Sequence, residues 1–133
     1  MKLVVDTSAL LAVVLNEPQR SAIIAAATGC DIIAPAVLPY EVGNALTSLR
    51  KRKVLKDSEV FEAWTSYSLL PIDLRAIDIP AALALAAKHN VYAYDAYVVQ
   101  AALQHRCALL TLDKRMTAVA QTEGIQLRGV TQP

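Results

Sequence analysis

The stretch KLVVDTSAL, residues 2–10, decides how this chain folds. Residues 3–5 are a short run of branched apolar side chains, which predicts a strand buried on both faces. From Ser8 to Leu15 the apolar residues follow helical spacing, so a helix is predicted directly after the strand. Asp6 stands between the two elements. It therefore lies at the carboxyl end of the predicted strand.

The same alternation of short apolar runs and longer helical patterns continues along the chain, without internal repeats or a linker. It predicts one domain over residues 1–133, of the three-layer α/β/α class, with a mainly parallel central sheet. Asp57 or Ser58 is expected to cap the fourth helix, and residues 131–133 are expected to be loosely held. Further strands are predicted at residues 32–34, 71–73, 108–111 and 125–127, and further helices at 19–27, 37–52, 57–69, 80–88, 95–105 and 113–124.

Composition narrows the classes of protein that the chain can belong to. Its 133 residues suit one domain, and 55% of them are hydrophobic, so the chain can bury a sizeable core. No apolar stretch reaches the roughly 18 residues of a membrane span, and the start of the chain is too short for a signal peptide, which predicts a cytoplasmic protein. A net charge of +1 neither requires nor excludes nucleic acid.

Four acidic residues stand in apolar surroundings, at or near points where a strand gives way to a helix. We call Asp6, Glu41, Asp95 and Asp113 the acid cluster. In open parallel sheets, sites form outside the carboxyl ends of the strands, so we expect Asp6 and Asp113 to share one edge. Grouped carboxylates are typical ligands of Mg²⁺ or Mn²⁺, and such a centre can hydrolyse phosphodiesters. His and Cys at ligand spacing are absent, which argues against structural zinc.

A simpler interpretation treats each acid separately. Asp6, Asp95 and Asp113 would each cap a helix, a role that Asp fills well. Glu41 would pair with a basic residue. This interpretation is weakest for Glu41, which has no Lys or Arg at helical spacing until after Ala45.

Four segments carry a family resemblance that spans nearly the whole chain: VVDTSALLA, LPYEVGNAL, YDAYVVQAAL and LLTLDKRM. In this order they resemble the signatures of the PIN domain and, more narrowly, the VapC-type ribonuclease toxins of toxin–antitoxin pairs. The resemblance implies an endoribonuclease that depends on Mg²⁺ or Mn²⁺. Asp6, Glu41 and Asp95 match the family's metal-binding acids, and Asp113 matches its fourth acid.

The resemblance also suggests roles around the acid cluster. Thr7 or Ser8 and Thr111 match hydroxyl positions near the centre, and Asn44 lies one helical turn from Glu41. Arg115 completes a T-x-D-x-R motif and is expected to orient Asp113 or to meet phosphate. The alternative for these side chains is capping and local hydrogen bonding. The family further implies an RNA substrate, a cognate VapB-like antitoxin that fits an apolar groove, and a homodimer.

Surface residues suggest how a substrate would approach. Arg50, Lys51, Arg52 and Lys53 form a basic cluster at the end of the helix that carries Glu41. It is either a phosphate track for RNA or a solvated helix end that complements the helix dipole. Tyr92, Tyr94 and Tyr97 surround Asp95 and are expected to pack against the sheet edge rather than to stack on bases.

Three alternatives to a VapC-type toxin remain open at the level of sequence. The first is a PIN-domain enzyme of RNA processing that has no antitoxin. The second is a signalling receiver, which also places acids at strand ends but does not account for Glu41 on a helix. The third is a non-catalytic module that binds Mg²⁺ or another protein.

We predict that neutralising Lys51 and Lys53 together weakens RNA binding and flattens its dependence on salt, because fewer counterions are released from the phosphates. Affinities measured at several salt concentrations test this, with circular dichroism to verify the fold. An unchanged salt slope would contradict a phosphate track.

Overall fold

Parallel strands form the central sheet of the computed structural model, which describes residues 1–129. The strands are β1 (Lys2–Val5), β2 (Asp31–Pro35), β3 (Ile72–Arg75) and β4 (Ala108–Leu110), and their order across the sheet is β3-β2-β1-β4. The helices are α1 (Thr7–Val14), α2 (Arg20–Ala27), α3 (Leu38–Lys51), α4 (Asp57–Ser68), α5 (Ile79–His89), α6 (Ala93–His105) and α7 (Lys114–Thr122).

Strand β1 is buried on both faces, as the opening stretch predicts. Successive side chains of a strand point to opposite faces, so Leu3 and Val5 enter one core while Val4 enters the other. Leu3 pairs with Ile32 of β2 and with Ala108 of β4, which places β1 between its two neighbours. Helices α1 to α4 cover one face and α5 to α7 cover the other. The three-layer α/β/α prediction is confirmed.

Three details differ from the sequence-based expectations. Helix α4 begins with Lys56 at its N-cap, where the Glu59 carboxylate accepts a hydrogen bond from the Lys56 amide at 2.8 Å; neither Asp57 nor Ser58 is the cap. Helix α6 begins at Ala93, so Asp95 lies within its first turn. The edge strand expected at residues 125–127 is reduced to one bridge between Leu127 and Leu109.

The topology brings distant parts of the chain to one edge of the sheet. The chain leaves β1 towards β2 on one side, whereas β4 lies on the other side, so the strand order reverses between β1 and β4. Ligand sites of open parallel sheets form at such a reversal, at the carboxyl ends of the strands. The Asp6 amide donates to the Leu110 carbonyl at 3.3 Å and continues the pairing to this edge.

Two further predictions concern residues 131–133 and the absence of a membrane span. Residues 131–133, expected to be loosely held, lie outside the described residues. Within residues 1–129, no helix combines the length and apolar character needed to cross a bilayer.

We predict that Leu109→Ala lowers the free energy of unfolding by about 2–5 kcal/mol, because Leu109 is fully buried and its truncation leaves a cavity. Leu69→Ala is the matched control, since Leu69 is 80% exposed, and its effect should stay within about 0.5 kcal/mol. Urea denaturation measures both values. Equal effects of the two substitutions would contradict the assigned core.

Candidate functional site

Asp6 is the buried centre of the site, with only 3% of its surface exposed. Its Oδ1 accepts hydrogen bonds from the Ser8 hydroxyl at 2.7 Å and from the Ala9 amide at 3.0 Å. Its Oδ2 accepts a short hydrogen bond from the Thr111 hydroxyl. These contacts join the end of β1, the start of α1 and the segment after β4, so the Asp6 carboxylate is held in one orientation.

The hydroxyl groups of Ser8 and Thr111 also order the backbone after β4. The Ser8 hydroxyl accepts from the Leu112 amide at 3.2 Å, and the Thr111 hydroxyl accepts from the Asp113 amide at 3.0 Å. Each hydroxyl therefore donates to Asp6 and accepts from the neighbouring loop. The segment that carries Asp113 is tied to Asp6 by two independent bridges.

Glu41 reaches the same region from the first turn of α3. Its Oε2 accepts a hydrogen bond from the Thr7 hydroxyl at 3.3 Å. Glu41 lines a cavity of about 270 Å³ together with Thr7, Tyr40, Asn44, Ala45 and Tyr94; we call it the acid cavity. Asn44 thus lies beside Glu41, as expected from their spacing. Thr7, Ser8 and Thr111 all bond carboxylates of the acid cluster.

Electrostatic coupling joins the four acids into one group. Burial raises the pKa of Asp6, and the nearby charge of Asp113 raises it further. The hydrogen bonds to the Asp6 carboxylate favour the ionised form and lower the pKa by less. Burial raises the pKa of Glu41 to about 7, with Asp95 and Asp6 contributing repulsion. Burial also raises the pKa of Asp95, assisted by Asp113. The cluster concentrates negative charge that the protein leaves largely uncompensated.

Capping accounts for only half of the acid cluster. Asp6 caps α1, and Asp113 caps α7 by accepting from the Met116 amide at 3.1 Å. Asp95 is not a cap, because Tyr92 occupies the N-cap of α6. Glu41 makes no salt bridge among the residues that the structure describes. Simple capping and ion pairing therefore leave Asp95 and Glu41 without an explanation.

The donors of the cluster fit a hard divalent cation in kind. Mg²⁺ takes oxygen ligands, keeps several waters and is held by one or two carboxylates together with substrate phosphates. Burial and mutual repulsion raise the pKa values of three of the acids, and a cation beside them would stabilise their ionised forms. As they stand, no three His, Cys, Asp or Glu side chains within residues 1–129 converge closely enough to hold an ion.

Arg115 lies close to the acids, whereas the basic cluster is farther from them. Arg115 is exposed, and its charge lowers the pKa of Asp95 against the larger effect of burial. The basic cluster lies at the other end of α3, about 15 Å from Glu41 at 1.5 Å rise per residue. Arg50 pairs with Asp57. Among the described residues, Lys51, Arg52 and Lys53 are exposed and form no salt bridge.

Aromatic residues at this edge are more exposed than the sequence indicates. Tyr92 is 79% exposed and Tyr94 is 55% exposed, so the expectation that both pack against the sheet is wrong. Tyr40 lines the acid cavity, is 79% exposed, and was missed by sequence reasoning. Its position directly before Glu41 was the available signal. The site therefore combines acids with solvent-accessible aromatic rings.

Comparison with known proteins identifies the family of the chain. The PIN domain family matches residues 3–121, and the chain belongs to the PIN-domain family. The family resemblance drawn from the four segments is confirmed, and a signalling receiver is excluded.

Two groups of relatives match over most of their length, which assigns the chain to the VapC type of the family. Ribonuclease VapC3 of Pyrobaculum aerophilum is 35% identical over 121 residues, covering 87% of this chain and 92% of the relative. Ribonuclease VapC9 of Mycobacterium tuberculosis is 30% identical over 129 residues, covering 91% of this chain and 93% of the relative. The crystal structure of PAE2754 from Pyrobaculum aerophilum shares the fold, with a TM-score of 0.66 over 90% of this chain and 87% of that chain, at 22% identity.

The raised pKa of Glu41 makes the stability of the metal-free protein depend on pH. Between the ordinary value of 4.5 and about 7 the folded state binds more protons than the unfolded state. The free energy of unfolding therefore falls as pH rises through this window. We predict that Glu41→Gln removes part of this fall, because Asp6 and Asp95 act in the same direction.

Melting temperatures in EDTA at pH 5 and pH 7.5 measure this effect as a difference between wild type and variant. Glu62→Gln is the control, since Glu62 is exposed on α4. A pH dependence that is the same in wild type and Glu41→Gln would contradict the prediction.

Proposed function

We propose that this chain is a VapC-type toxin that hydrolyses RNA phosphodiester bonds at the acid cluster, with Mg²⁺ or Mn²⁺ as its cofactor. The observation that carries the proposal is that four acids from separate segments lie near enough to one another at the carboxyl edge of the sheet to raise the pKa values of three of them, although within residues 1–129 no three converge on one point. The names of the relatives, which describe ribonucleases, support the choice of reaction. Neither His89 nor His105 has a Ser or Cys context typical of a nucleophilic triad, so water is the proposed nucleophile.

Asp6 is the best positioned of the proposed ligands. Ser8, Thr111 and the Ala9 amide hold its two oxygens, so little reorganisation is required when it binds. Glu41 is oriented by the Thr7 hydroxyl, and both residues line the acid cavity. Asp95 and Asp113 complete the set from the starts of α6 and α7. When bound, the cation activates water and stabilises the charge on the phosphoryl oxygens.

Protonation links the acid cluster to cation binding. With a pKa of about 7, Glu41 carries a proton for part of the time at neutral pH. A carboxylate must lose its proton to serve as a ligand, so cation binding releases protons and strengthens as pH rises. This role accounts for burying like charges that would otherwise only destabilise the fold.

RNA is proposed to reach the acids along α3. Lys51, Arg52 and Lys53 are exposed at its far end and can contact phosphates about 15 Å from Glu41. That separation corresponds to a few nucleotides of an extended strand. The electrostatic contact would position the backbone without specifying the base sequence.

An antitoxin helix and a second copy of the chain are the proposed protein partners. An apolar cavity of about 290 Å³ opens beside α1 and α2, where Leu10, Ile23 and Ile24 contribute to its walls. An amphipathic helix can place its apolar face in such a groove. Inhibition of cleavage by the product of a neighbouring small gene would separate a toxin from an RNA-processing enzyme without antitoxin.

We predict that Asp6→Asn reduces the rate of RNA cleavage more than about 100-fold. Loss of a residue that only hydrogen-bonds a metal ligand typically costs about 10–100-fold, and loss of a ligand itself should cost more. Asn caps helices about as well as Asp, so α1 should stay folded. Cleavage of a structured RNA is measured with Mg²⁺, with Mn²⁺ and with EDTA. Asp31→Asn is the control, because Asp31 begins β2 at the opposite edge of the sheet.

Loss of cleavage in Asp6→Asn and in EDTA, with activity retained in Asp31→Asn, is the expected result. Metal-dependent cleavage by Asp6→Asn at the wild-type rate would contradict the proposed centre. It would place the catalytic centre elsewhere on the protein. No cleavage by either protein, with both folded, would favour the non-catalytic module.

A further inference from the structure

A second cavity lies beside the acid cavity and is lined by apolar and aromatic residues. It has a volume of about 300 Å³, and its walls include Ala36, Val37, Ile77, Ile79 and Tyr97. The volume lies at the lower end of the roughly 300–1,000 Å³ of pockets that hold small organic molecules. We call it the base cavity. Neither the acid cluster nor the basic cluster contributes to its walls.

The base cavity and the acid cavity share one side chain. Tyr94 lines both the acid cavity and the base cavity. The centroid of its ring lies 6.0 Å from that of the Tyr97 ring, and the angle between the two ring planes is 82°. Asp95 lies between these tyrosines in the sequence, in the first turn of α6. A phosphate bound at the acids therefore has an apolar, aromatic recess next to it.

Hydrogen bonds outside the cavity hold its walls in place. The side-chain amide of Gln104 on α6 accepts from the Asp78 backbone amide at 3.0 Å and donates to the Ala76 carbonyl at 3.1 Å. These contacts lie on either side of Ile77 and fix the loop between β3 and α5. The Ala36 amide donates to the Arg75 carbonyl at 2.9 Å, which fixes the facing loop. The recess is thus formed before any ligand arrives.

We infer that the base cavity holds an unpaired nucleobase next to the phosphate that is cleaved. A nucleobase is flat and aromatic and is covalently joined to a phosphodiester, which matches an apolar recess adjoining an acidic centre. Stacking on aromatic side chains stabilises unpaired bases and tolerates different sequences. A base inside a duplex cannot enter such a recess, so single-stranded or looped RNA is the expected substrate. This inference rests on the proposed function.

Methyl NMR of the isoleucine-labelled full chain, in the presence of Mg²⁺, tests the inference directly. AMP, GMP, CMP and UMP are titrated separately, and ribose 5-phosphate serves as the ligand that lacks a base. The methyl signals of Ile77 and Ile79 should shift with nucleotides, because an aromatic base would lie against them. Ile23 and Ile125 lie in the two cores and are internal controls. Apparent affinity should be about tenfold higher for nucleotides than for ribose 5-phosphate.

Two substitutions make the result specific to the cavity. Ala36→Phe fills the recess from its exposed rim and should abolish the nucleotide response. Ala84→Phe is the matched control on the exposed surface of α5, outside the cavity walls, and should keep the response. Ile79→Ala and Leu83→Ala form a second matched pair, since both side chains are 51% exposed and only Ile79 lines the cavity. The first should weaken nucleotide binding and the second should not.

The inference is overturned if nucleotides do not shift the methyl signals of Ile77 and Ile79. That result is expected if the recess binds a protein side chain instead. It is equally overturned if ribose 5-phosphate produces the same response or if Ala36→Phe retains it. Metal-dependent RNA cleavage in the same preparation separates this failure from a failure of the proposed function. A specific nucleotide response without any RNA cleavage by wild type would instead contradict the nuclease.

Discussion

The hydrogen bonds that converge on the buried Asp6 carboxylate are the constraint on which the rest of the structure depends. Ser8, Ala9 and Thr111 donate to its two oxygens and thereby join β1, α1 and the segment after β4. Burial penalises the charge of Asp6, and these donors compensate for only part of that penalty. The strand ends must therefore meet at Asp6, and the other acids are arranged around this point.

Helix placement moderates the repulsion within the acid cluster. Asp6 and Asp113 are N-caps, while Glu41 and Asp95 lie in the first turns of α3 and α6. Negative charge is stabilised near a helix N-terminus by the helix dipole, typically by about 0.3–1 kcal/mol at exposed positions. Four helices beginning at one edge thus allow acids to gather there. The raised pKa values show that repulsion and burial still exceed this compensation.

In the proposed reaction, chemistry and recognition are divided between the two adjoining cavities. The acid cavity offers oxygen ligands, and the base cavity offers apolar and aromatic walls, with Tyr94 contributing to both. Gln104 holds the loop around Ile77 although it belongs to neither cavity. The loops after β2 and β3 can vary without moving the ends of β1 and β4, so substrate choice can change while the acids stay in place.

Local patterns in the sequence were sufficient to predict the four strands of the sheet, the helices and their layering, and they singled out the four acids as the candidate site. Successive side chains of a strand point to opposite faces, so Leu3 and Val4 enter opposite cores. This direction is a local property of the strand. Caps and short edges were predicted less well, as at Lys56 and Leu127, because competing local hydrogen bonds differ little in energy. Only the tertiary structure decided that Thr111 meets Asp6, that Thr7 meets Glu41, and that Tyr94 joins two cavities. Such contacts depend on the order of strands in the sheet, and sheet order is set by packing of the whole core rather than by any local pattern.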